Sequence, residues 1–126
     1  MKHIITWFEI PVTDIERATR FYETVFATTL TREDMEDMKM ACFPYEDGLV
    51  SGGLTLFEHY KPSADGAIIY LDAPKLDALL ERAKKAGGQL IFGPHTLPKN
   101  YGRIAHIIDS EGNRIGLHER PEEMPY

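Results

Sequence analysis

Two side chains in this sequence are placed to move a proton: Glu9 in Trp7-Phe8-Glu9-Ile10 and His118 in Ile115-Gly116-Leu117-His118-Glu119. Each lies in a stretch where apolar residues alternate with others, so each is expected on a strand and turned away from the apolar side. A carboxylate held beside Trp7 on such a face loses hydration, and its pKa rises toward the range of a general base. The bland alternative is a rim carboxylate paired with a Lys or Arg. His118 could serve as a base, as a donor to an anionic ligand or as a metal ligand, or be a solvated residue at a strand end. Strand parity gathers Trp7, Thr55, Phe57, Ile68 and Tyr70 on the same faces, with Gly116 beside His118. This aromatic lining with few polar groups is the usual composition of a small-molecule site. Tyr101 and Arg103 lie on or beside the stretch 93–101, whose two Pro and one Gly suggest a mobile loop that could gate such a site.

The elements that must position these residues occur twice. Residues 7–26 and 68–87 each pass from a β-type apolar stretch to an amphipathic helix, and Val12, Ile15, Ala18 and Val25 fall on Ala73, Leu76, Leu79 and Ala86, an offset of 61. The same offset sets Leu54–Glu58 on Ile115–Glu119. Thr13-Asp14-Ile15-Glu16 matches a capping box at the first helix start. Strands are expected near 28–34, 38–45 and 49–58, and again near 89–92, 102–109 and 113–119. Each half thus reads β-α-β-β-β, with 1–58 the first module, 59–66 a polar linker containing Pro and Gly, 67–120 the second module and 121–126 a tail. A unit of this kind cannot bury its apolar face alone, so the copies must pack together. The expected fold is α+β: a single domain of two β-α-β-β-β modules whose curved mixed sheets form a cleft. His106 is read as a core residue standing opposite Leu117, although a one-residue change in the turn would bring it to the cleft.

With 126 residues, 43% hydrophobic and 27% charged, the chain can bury a core as one domain. No apolar run is long enough to span a bilayer, and the N-terminus reads as a strand rather than a signal peptide. The single Cys42 excludes an intramolecular disulfide and reads as a small buried apolar residue; a cytoplasmic location is expected. A net charge of −6 with no basic cluster beyond Lys84-Lys85 argues against nucleic acid.

The motifs Val12-x-Asp14, Phe21-Tyr22-Glu23-x-Val25-Phe26 and Asp109-x-Glu111-Gly112-Asn113-x-Ile115, set in a duplicated frame, resemble the vicinal oxygen chelate superfamily. Its members include glyoxalase I (lactoylglutathione lyase), bleomycin resistance proteins, extradiol dioxygenases and fosfomycin resistance enzymes. The resemblance covers nearly the whole chain. One departure is Ala27, where the family's helix usually ends in Gly. The resemblance implies one divalent metal in the cleft, held by a His or Gln on the first strand of a half and a Glu or similar residue on the last. Those positions carry Trp7, Ile68, Thr55 and Gly116 here, which do not make a metal site. The expectation is therefore a glyoxalase-family protein with a small-molecule cleft and no cofactor. It would be a metal-independent lyase or isomerase acting through Glu9 or His118, or a sequestering protein of the bleomycin resistance type, or a lyase or dioxygenase with displaced ligands for one divalent ion. The resemblance also implies a homodimer.

Overall fold

The computed structural model describes residues 3–122. The first half contains β1 (Trp7–Pro11), α1 (Ile15–Phe26), β2 (Thr31–Arg32), β3 (Lys39–Cys42) and β4 (Ser51–Leu56). The second contains β5 (Tyr70–Asp72), α2 (Leu76–Lys85), β6 (Gln89–Thr96), β7 (Arg103–Ile108) and β8 (Arg114–Glu119). Two four-stranded mixed sheets result, in the orders β1-β4-β3-β2 and β5-β8-β7-β6. β1 and β5 each run parallel to the last strand of their half. The expected α+β architecture of two β-α-β-β-β modules is what the chain adopts.

Alternation decides which face of each sheet meets the helices. Ile10, Leu54 and Ala41 in the first sheet, and Leu117, Ala105 and Ile107 in the second, join Ile15, Ala18, Phe21, Tyr22 and Val25 of α1 and Leu76, Leu79, Leu80 and Ala83 of α2 in one core shared by both halves. The opposite parity carries Glu9, Cys42 and Gly53 in one sheet and Tyr70, His106 and Gly116 in the other.

The helix ends differ in detail from the sequence reading. Asp14, not Thr13, is the N-cap of α1: its Oδ1 accepts from the Arg17 N–H at 3.0 Å. Thr13 instead donates its N–H (2.9 Å) and hydroxyl (3.1 Å) to Glu111 from the other half. At the far end, Ala27 takes the left-handed conformation (φ 50°, ψ 52°) that Gly occupies without cost. β6 runs on to Thr96 with irregular pairing, and a short 3-10 turn follows at Pro98–Asn100, so half of the expected loop 93–101 is strand. The expected tail 121–126 falls largely outside the described residues.

The duplication is also less regular than one offset suggests. The Val12 N–H donates to the Thr55 carbonyl at 3.0 Å, and the Ala73 N–H donates to the His118 carbonyl at 2.8 Å. Val12 therefore still matches Ala73, but Thr55 matches His118, and the offset in the last strands is 63. The copies have slipped by two residues, which keeps every side chain on its own face. The residue equivalent to Gly116 is thus Gly53, not Thr55.

The five-residue turn between β7 and β8 joins the halves. Asp109 accepts the Tyr22 hydroxyl proton at 2.6 Å, and Asn113 donates its side-chain amide to the Pro11 carbonyl at 2.7 Å. Glu111, its side chain fully buried, accepts from Arg17 Nε at 2.7 Å and from the N–H groups of Thr13 and Asp14. Burial pushes the Glu111 carboxyl up, but these bonds and one from Ser110 outweigh it and hold the pKa at about 2. A carboxylate whose folded pKa lies below its unfolded value stabilises above the unfolded value, and that stability is lost as pH falls through the folded one. Glu111→Gln is therefore expected to cost about 1–3 kcal/mol at pH 7. Thermal unfolding should show a Tm deficit of several degrees against the wild type that closes as pH falls from 4.5 toward 2.

Candidate functional site

The non-helical face of the second sheet carries a continuous polar and aromatic row. Tyr70 on β5 is level with Gly116 on β8, Gly116 with His106 on β7, and His106 with Phe92 on β6. Gly116 makes this row possible. A Cβ there would lie 2.6 Å from Cδ1 of Tyr70, so the Tyr70 ring occupies the space a side chain would need. The ring crosses β8 and brings its hydroxyl 2.7 Å from His106 Nε2. On the other side of the imidazole, Arg114 Nε donates to Nδ1 at 2.9 Å. Burial lowers the His106 pKa, and the Arg114 charge lowers it further, so the ring is neutral. Phe92 packs at 5.4 Å from the His106 ring, and Tyr70 at 5.3 Å.

His106 is thus on the sheet face away from the helices and not in the shared apolar core. The turn from Asp109 to Asn113 has five residues, so His106 stands opposite Gly116 and Ala105 takes the place opposite Leu117. The sequence reading used a shorter turn, and one residue reverses every side chain.

The equivalent row of the first sheet is Glu9, Gly53 and Cys42. Glu9 is half-buried, and its carboxylate makes no hydrogen bond or ion pair among the described residues. Burial pushes the Cys42 thiol up, with Glu33 and Glu9 adding to the shift, which keeps it protonated and unreactive. Trp7 lies one pair earlier on the same face, level with Ser51 and 42% exposed. Thr55, expected in the lining, is fully buried, and its hydroxyl has no partner among the described residues.

The other candidates have structural partners. His118 Nε2 lies 2.7 Å from the Tyr101 carbonyl, which can only accept, so this nitrogen carries the proton and holds the segment before β7 against β8. Arg103 binds Glu119 at 2.8 Å and Asp77 at 3.2 Å, and Glu119 in turn accepts the Leu76 N–H at the start of α2. That arrangement secures a helix end and leaves Arg103 little freedom to gate a ligand. Phe57 falls just beyond β4 and packs on His59 and Tyr60. Ile68 precedes β5 and, with Tyr70, lines the largest cavity.

That cavity, about 950 Å³, runs along the free edge of β5 between the halves, against Phe8, Phe26, Phe43 and Leu79. Its charged groups are already engaged: Arg82 donates to the Val25 carbonyl and Asp72 pairs with Arg120. The volume suits a ligand, but the groups able to select one lie on the sheet face.

The superfamily's metal does not fit these residues. Both last-strand positions are glycines, a side chain at Gly116 would collide with Tyr70, and a Cβ at Gly53 would come 2.9 Å from the Ala41 carbonyl. Among the described residues no three His, Cys, Asp or Glu side chains are grouped to hold a metal ion. His106, Arg114, Phe92 and Gly53 are the site residues that sequence reading missed. The sequence signal was Asp109-x-Glu111-Gly112-Asn113, whose loop length fixes the register of β7.

Comparison with known proteins bears on the fold. Residues 5–44 match the bleomycin resistance protein-like N-terminal family. A glyoxylase-like domain-containing protein of Didymella fabae is 27% identical over 125 residues, covering 93% of this chain and 94% of the relative. A glyoxalase/bleomycin resistance protein from Albidiferax ferrireducens T118 superposes with a TM-score of 0.70 at 17% identity, over 94% of this chain and 100% of that one. TnmS3, an antibiotic binding protein from Streptomyces sp. CB03234, does so with a TM-score of 0.64 at 24% identity, over 96% of this chain and 99% of that one. Those two structures show the shared fold. The chain shares the fold of the glyoxalase and bleomycin resistance proteins, and its 40 matched residues are similar to the bleomycin resistance protein-like family. No helix among the described residues is long and apolar enough to cross a membrane.

Gly116→Ala is expected to displace the Tyr70 ring and break its bond to His106. Near-UV circular dichroism should lose tyrosine signal, and chemical denaturation should show a loss of about 1–3 kcal/mol.

Proposed function

We propose that this protein is a small-molecule binder of the bleomycin resistance type, which holds its ligand on the cleft face without a divalent metal. The observation that carries the reading is the Tyr70 ring over Gly116, where the superfamily would place a metal-ligating side chain. An aromatic surface with a buried polar relay replaces a Lewis acid. Trp7, Tyr70 and Phe92 are each more than two-fifths exposed, an apolar investment that a ligand would repay by covering it. The likeness to an antibiotic binding protein supports the same reading. A homodimer and a cytoplasmic location belong to the proposal.

One observation favours a second reading, a metal-independent lyase or isomerase. The Glu9 carboxylate stands in the first-sheet row with no ion pair and is available as a base. In that case Glu9→Gln would reduce turnover by roughly 100-fold or more while leaving ligand affinity nearly unchanged.

The deciding experiment is a thermal-shift screen of untagged protein against flat, conjugated antibiotics, with and without EDTA, alongside elemental analysis. Ligand at 100 times its Kd should stabilise the protein by about 2.7 kcal/mol, the chelator should change nothing, and the ligand should be recovered unaltered. Metal near one atom per chain, with stabilisation lost in EDTA, would overturn the proposal.

A further inference from the structure

The hydrogen bonds around His106 fix where the proton of Tyr70 can point. A guanidinium keeps all its protons at any accessible pH, so Arg114 Nε always donates and His106 Nδ1 must be a bare lone pair. A neutral imidazole then carries its proton on Nε2. The contact at 2.7 Å is therefore Nε2–H donating to the Tyr70 oxygen. That oxygen is an acceptor within the relay, and its own proton must be offered elsewhere. Among the described residues nothing accepts it.

Tyr70 is 46% exposed at the free edge of its sheet, so the protein does not enclose its ring and the phenol is open to a ligand. Each bond in the chain polarises the next, and a fixed positive charge stands at its far end, so the phenol is a stronger donor than an isolated tyrosine. Arg114 is itself half-buried and is held to His106 through Nε, which fixes a positive charge at the far end of the relay. Phe92, on the strand beyond His106, packs on the imidazole and offers a flat apolar surface there.

We infer that Tyr70 is the hydrogen-bond donor for a planar ligand bearing a conjugated, negatively polarised oxygen of the phenolate or enolate type, with His106 and Arg114 as the residues that position and polarise it. This rests on the binding reading above and names the ligand class that reading leaves open. It also accounts for a His and an Arg joined side by side on the face away from the helices.

The test is calorimetric titration of the intact protein with a series of substituted phenolates graded in basicity, and with 4-nitrotoluene as a neutral isostere of 4-nitrophenolate. In the wild type, affinity should rise with phenolate basicity and exceed that for 4-nitrotoluene. Tyr70→Phe should lose about tenfold in phenolate affinity and flatten the dependence on basicity, while 4-nitrotoluene binding stays the same. Arg114→Met, with Tyr70 intact, should reduce the slope without abolishing binding, an effect that simple loss of packing would not produce. If Tyr70→Phe binds the series as the wild type does, or if only 4-nitrotoluene binds the wild type, the donor assignment fails and the binding reading survives. If neither probe class binds the wild type, both fail.

Discussion

The buried carboxylate of Glu111 is the constraint on which the arrangement of this molecule depends. Removing an anion from water costs several kcal/mol unless its oxygens are fully bonded. Here both are, by two backbone N–H groups at the start of α1, by the Thr13 hydroxyl and by Arg17. A helix N-terminus is a natural seat for an anion, because its first N–H groups lack partners and its dipole is positive there. The unusual feature is that the anion comes from the other half of the chain. With Asp109 on Tyr22 and Asn113 on the Pro11 carbonyl, one turn of the second module holds the first strand, the first helix and the junction between them. The apolar core could accept several relative orientations of the two helices, whereas these directional bonds accept one.

The same turn sets the chemistry of the second sheet. Its five residues determine that His106, not Ala105, rises on the face away from the helices. From there the sequence of causes is short. Gly116 leaves room, Tyr70 fills it, and Arg114 fixes the tautomer of the imidazole between them. Where the resemblance would put a metal ligand the second module has no side chain, and the space is taken by an aromatic ring from the neighbouring strand.

Most of the fold was legible in the sequence because it rests on local patterns. Alternation marked β1 and β4, the apolar stripes marked α1 and α2, and the near-repetition of the two marked the duplication. Only part of the site could be read this way. Glu9, Trp7 and Tyr70 were assigned to their sheet face correctly because parity within a strand is local. His106 was missed because its side depends on a turn length, and Thr55 was matched to Gly116 in place of Gly53 because the repeat changes offset between its first and last strands. His118 has a suitable residue type for catalysis and Arg103 for binding a ligand, but their partners, the Tyr101 carbonyl and Glu119, are visible only in three dimensions.

The two-residue slip between the copies has a consequence for how such a protein can change over evolutionary time. A sheet with one face against helices tolerates drift in steps of two and resists steps of one, since an odd step would turn Glu9 or His106 into the core and a leucine out of it. Even steps leave the packing intact while moving different residues into the same row. The halves could therefore diverge without ever passing through an unfolded ancestor, one retaining an acid and a thiol, the other a phenol and an imidazole. A duplicated fold of this kind has quantised freedom: its architecture stays symmetric while its two faces come to carry different side chains.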